Sequence, residues 1–128
     1  MRATFIDSEG EYLEATVKVG DIELRVMDEF GGSMLAADTE IELDIFVGLA
    51  FEDESWESMF NSNPDCKKQL VHQSGWCYRA YGVVTKIQPD VLVDVGFTTL
   101  EAPISTSDIN VVGVPVAFTI ERLGANAS

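Results

Sequence analysis

Cys66, His72 and Cys77 stand in the pattern Cys-x5-His-x4-Cys with Asp65 alongside, the residue types that bind zinc. The spacing lacks the short Cys-x2–4-Cys bite of a zinc knuckle, so two free thiols and a surface histidine are expected, with no metal and no cofactor. His72 is the only histidine and so the only imidazole that could serve as base to a serine or cysteine nucleophile. There is no Gly-x-Ser-x-Gly elbow and no phosphate-cradling glycine loop. Asp94 is a carboxylate on an otherwise apolar stretch, VLVDV; a buried acid there would have a raised pKa and an acid–base role. The competing reading is structural, with Asp94 bonded to Thr85 across a Pro89-Asp90 turn. The catalytic inventory is thin, and a non-enzymatic protein is the expectation.

Charge carries more information. The chain has 128 residues, 22 acids and 8 bases, a formal net charge of −14. Residues 1–60 hold 16 acids and 3 bases, whereas residues 61–128 hold 6 acids and 5 bases. Such asymmetry is a partner signal, and a surface of this sign repels polyanions, whose binding rests on Lys and Arg. Acidic surfaces also serve solubility. The densest candidate surface is the ladder Glu40, Glu42 and Asp44, extended by Glu52, Asp53, Glu54 and Glu57, with Trp56 as an aromatic anchor. These eight residues are the candidate contact site for a basic protein partner.

The elements that must position them are mostly strands. YLEATVKV and IELRVM alternate, and Gly20-Asp21 suits a type II′ hairpin turn. That closure pairs Val19 with Ile22, Val17 with Leu24, and Lys18 with Glu23. In EIELDIFV, Ile41, Leu43, Ile45 and Val47 face inward, with the acidic ladder outside. Residues 54–61 read as one or two helical turns, capped by Asp53 or Ser55, with Trp56, Met59 and Phe60 covering an open end of the core. A shorter turn is expected at Met34 to Ala37. CYRAYGVVTKI, with Tyr81, Val83, Thr85 and Ile87 on one face, turns at Gln88-Pro89-Asp90 into VLVDV. VAFTIERL, opened by Pro115, ends the series with Val116, Phe118 and Ile120 inside. One all-β domain, residues 1–128, follows: a small antiparallel barrel of about six strands.

Residues 82–123 resemble the S1-like branch of the OB fold. The matching positions are Gly82, Val84 and Ile87; Val93, Asp94, Val95 and Gly96; Ile104 and Ser105; and Val112, Gly113 and Val116. The resemblance implies an OB-like barrel and, as an alternative function, a single-stranded nucleic-acid-binding module. Departures fall where that function would sit. Pro103 stands where a histidine often precedes the Ile-Ser, Leu92 replaces the expected aromatic, and the connection from Ser105 to Gly113 is short. Stacking rings exist in Tyr78, Tyr81 and Phe97, but Arg79 and Lys86 do not make a basic track. With no apolar leader near the N-terminus, a cytoplasmic protein with reduced thiols is expected. Open sheet edges would allow homo-oligomers.

Overall fold

The computed structural model describes every residue except Glu52. Nine strands form one sheet: β1 (Arg2–Ser8), β2 (Glu14–Val19), β3 (Ile22–Glu29), β4 (Glu40–Ala50), β5 (Gln69–Ser74), β6 (Cys77–Lys86), β7 (Leu92–Asp94), β8 (Thr99–Glu101) and β9 (Pro115–Ala127). One short helix, α1 (Trp56–Phe60), and 3-10 turns at Gly32–Met34 and Ile109–Val111 complete the described elements. The expected class is correct, but the expected count of about six strands is not. β1, β5 and β8 were not anticipated, and the turn placed at Met34 to Ala37 lies instead at Gly32–Met34.

The β2–β3 hairpin has the expected register, with Val19 opposite Ile22, Lys18 opposite Glu23 and Val17 opposite Leu24. Gly20 takes φ 59°, the positive value that the first position of a type II′ turn requires. The strand order is β3-β2-β1-β4-β9-β6-β7-β8, with β5 added beside β6. The sheet closes on itself, because β3 also pairs with β9 in parallel, Met27 to Gly124 through Glu29 to Asn126.

β9 is the spine. Its first half pairs with β6 and its second half with β3, while β4 runs antiparallel along the other side. The inward alternation Val116, Phe118, Ile120 continues as Leu123 and Ala125, because the register against β4 shifts around Glu121. Without that bulge the second half would turn its apolar side chains to solvent. Phe118, Ile120, Leu123, Leu24, Leu43 and Val93 are all fully buried in one continuous core. At about 1.5–3 kcal/mol for each large apolar side chain, this core is the dominant stabilising term.

α1 behaves partly as expected. Ser55, not Asp53, is its N-cap, in a reciprocal box with Ser58. Met59 is completely buried and closes the core, Trp56 packs at its margin, and Phe60 stacks on Trp56 at 5.3 Å while remaining partly exposed. The loop after α1 is tied down by Asn63, 1 % exposed, whose side-chain amide donates to the carbonyls of Lys67, Gly82 and Val116 and accepts from Lys67 N–H.

Candidate functional site

Period-2 alternation along β4 points Glu40, Glu42 and Asp44 outward, all exposed, while Leu43 and Ile45 are buried. The ladder is not a bare row of charge. β1 pairs with β4, Arg2 opposite Glu42 and Thr4 opposite Glu40. Arg2 Nη1 lies 2.9 Å from Glu40 Oε2, Arg2 Nε lies 3.4 Å from Glu42 Oε1, and the N-terminal ammonium is 3.8 Å from Glu42 Oε2. Asp44 is bound by the Ser128 hydroxyl, a neutral donor, and keeps its charge exposed. The register Glu29–Asn126–Asp44 across β3, β9 and β4 adds exposed Glu29 to the same outer face.

The second group of acids sits elsewhere. Six strand residues, Ile45 to Ala50, separate Asp44 from the connection to α1, roughly 20 Å at about 3.3 Å per residue. Asp53 and Glu57 are exposed there, and Glu52 lies outside the described residues. Glu54 is turned inward, its side chain 7 % exposed. Its Oε1 accepts from Thr119 N–H at 3.0 Å and from Arg79 Nη1 at 3.3 Å, and Arg79 also donates to Thr119 Oγ1. β4 has ended by this point, and the Glu54 carboxylate stands in for the carbonyl that a further strand residue would have offered Thr119. Glu54 is therefore structural, a correction to its place in the expected contact surface. Trp56 is half-buried, with Nε1 3.4 Å from Ser105 O.

A further acidic surface was not singled out from the sequence. Asp7, Ser8, Glu9, Glu14, Thr16 and Arg25 line a groove of about 360 Å³ on the outer side of β1–β3. Arg25 Nη1 pairs with Glu14 at 3.2 Å, and Asp7 and Glu9 are exposed beside it. These acids are scattered in sequence, and only the β1–β2 and β2–β3 pairings bring them together.

The remaining candidates resolve into structural roles. Asp94 lies opposite Val83 rather than Thr85, because Lys86 already pairs with Leu92, one residue off a two-residue Pro89-Asp90 closure, and the register shifts by one more at Thr85; the Thr85 hydroxyl donates to Leu92 O instead. Asp94 accepts from Gly96 N–H at 2.9 Å and Lys68 Nζ at 3.0 Å, and these bonds lower its pKa, the Gly96 bond most. That is opposite to the shift a buried catalytic acid would show. The buried carboxylate is Asp28, at 0 % exposure, which accepts from the Ser8 hydroxyl and from the N–H groups of Phe30 and Gly32.

His72 Nε2 is 2.8 Å from Gly75 O, and the ring meets Tyr78 edge-on at 5.3 Å. Gln69 pairs with Tyr81 and Ser74 with Cys77, so the same register would set Cys66 near residue 84, roughly 20 Å along the sheet from Cys77. The two thiols are free. Among the described residues no three of His, Cys, Asp and Glu come together as metal ligands, and no helix is long and apolar enough to cross a membrane.

No family model, no curated protein and no solved structure matches this chain.

Proposed function

We propose that this chain is a non-enzymatic acidic β-barrel protein that binds a basic protein partner, as an inhibitor or adaptor. The observation that carries the reading is the outer face around Asp44, where Glu29, Glu40, Glu42 and Asp44 are exposed on adjoining strands; among the described residues Arg2 and the N-terminus pair with these acids, and Lys18, across Thr4 from Glu40, is the nearest further cation in the strand register. A negative face of this kind steers a basic partner and sets its orientation. Asp53, Glu57 and the margin of Trp56 form a second contact about 20 Å away, a separation that suits a protein-sized partner rather than a small ligand.

We further infer an OB-like barrel in the closed circuit β1-β2-β3-β9-β4. Five strands in this circuit, with one parallel pair closing them, support that reading. On this reading the OB-like unit is residues 2–50 with 115–127, and β5 to β8 are an insertion. The alternative function, a single-stranded nucleic-acid module, would use the β2–β3 face and adjoining loops. That face carries Asp7, Glu9 and Glu14, which disfavours a polyanion.

Capture experiments test the proposal: a basic partner is retained at low salt, released at high salt, and lost when Glu40, Glu42 and Asp44 are changed to Lys. Tight binding of single-stranded oligonucleotides at low salt, without such a partner, would favour the alternative.

A further inference from the structure

Among the described residues β5 pairs only with β6, and no strand lies beside its outer edge. Which backbone groups lie on that edge follows from β9. Thr119 directs its N–H to Glu54 and its C=O to Phe51 N–H, away from β6. Arg79, opposite Thr119, therefore turns its own N–H and C=O toward β5, where it pairs with Val71. The N–H and C=O of Leu70 and His72 are left on the open edge.

We propose that this edge is the interface between two copies of the chain, joined as antiparallel β5 strands on a two-fold axis at Val71. The sequence QLVHQ is self-complementary about that point. Val71 meets the Val71 of the second copy at a non-hydrogen-bonded position, where side chains approach most closely. Leu70 and His72 exchange backbone hydrogen bonds across the axis, and Gln69 faces Gln73. The contact is isologous, as a closed dimer requires.

Charge selects this edge and this occupant. Two chains of −14 repel each other, yet residues 66–89 contain no acid and hold Lys67, Lys68, Arg79 and Lys86. The open part of β3 carries Glu23, and its Arg25 N–H is already taken by Tyr78. β8 carries Glu101. On β5 the two-fold pairing sets no like charges opposite one another, and Val71, 37 % exposed, is free to pack. Because long-range repulsion opposes the association, added salt strengthens it. Salt has the opposite effect on the basic-partner contact, and the dimer does not depend on that contact.

Sedimentation equilibrium of the whole chain tests this over about a hundredfold range of concentration at low and high salt. The expected result is a reversible dimer whose fraction rises with concentration and with salt. Val71→Asp, which sets two carboxylates on the axis, remains monomeric with an unchanged circular dichroism spectrum and, at concentrations where the parent is itself monomeric, an unchanged unfolding midpoint. In a Cys66→Ser background, Val71→Cys cross-links to a dimer on mild oxidation and Gln73→Cys does not. A chain that is monomeric throughout, a Val71→Asp variant that dimerises like the parent, or equal cross-linking from both cysteine variants would overturn the proposal.

Discussion

The hydroxyl of Tyr78 accepts a hydrogen bond from the backbone N–H of Arg25 at 2.7 Å, joining β6 to the stretch of β3 that pairs only with β2 among the described residues. Tyr78 is 2 % exposed, and its burial raises the phenol pKa above the usual value near 10. Tyr78→Phe keeps the ring and strands the Arg25 donor, at a cost of about 1–2 kcal/mol. A raised folded-state pKa gives stability that is complete below about pH 10 and lost as the pH climbs through the folded value. Urea unfolding between neutral and alkaline pH should show a steep loss in the parent and a shallower one in Tyr78→Phe.

Asp94 has the opposite dependence. Its pKa is lowered by the Gly96 N–H and by Lys68, so its contribution is present above about pH 4, the unfolded value, and disappears as the pH falls through the folded one. Asp94→Asn should be less stable than the parent at neutral pH, by under about 1 kcal/mol for a pair this exposed. The two unfolding curves should converge in acid. A gap that widens as the pH falls would contradict the assignment.

Gly82 lies where β7 crosses closest to β6. A Cβ there would run into Asp94 O and stand 2.6 Å from Val93 Cγ1, and the first of these is backbone. Gly82→Ala must therefore push β7 away, and about 1–3 kcal/mol of destabilisation is expected in chemical denaturation. Gly20→Ala, with no atom within 4 Å of the new methyl, should cost less and only through its positive φ.

Glu54 and Arg2 separate structure from recognition. Glu54→Ala leaves Thr119 N–H unpaired and removes the carboxylate partner of Arg79, which should lower stability by about 1.5–3 kcal/mol while leaving partner affinity unchanged. Arg2→Ala releases Glu40 and Glu42 from their only side-chain cation in the described structure, and should tighten binding of a basic partner a few-fold with little change in stability. Titration of both variants against the parent, beside their unfolding curves, distinguishes the two roles.

Strands with a strict two-residue period were legible in the sequence. The β2–β3 hairpin could be read to the residue because Gly20 fixes the turn and only one register puts Val17, Val19, Ile22 and Leu24 in matched pairs. β1 was missed because Ala3 and Phe5 are its only fully buried positions. β5 was missed because five of its six residues are exposed, so it shows no alternation, and β8 is three residues long. Of the site, the outward direction of Glu40, Glu42 and Asp44 was legible from local alternation. Their neutralisation by Arg2 was not, because it depends on β1–β4 pairing across forty residues. Nor was the inward turn of Glu54, set by the point where β4 leaves Thr119 without a partner, or the burial of Asp28, which caps a loop closed by two glycines.

The most direct test of the central claim is capture of partners at low and high salt by the parent, by the Glu40, Glu42 and Asp44 to Lys variant, and by Val71→Asp. The account predicts a basic protein held at low salt by the parent and by Val71→Asp, released as salt rises, and absent from the charge-reversed variant. A partner retained equally by all three and indifferent to salt would contradict it.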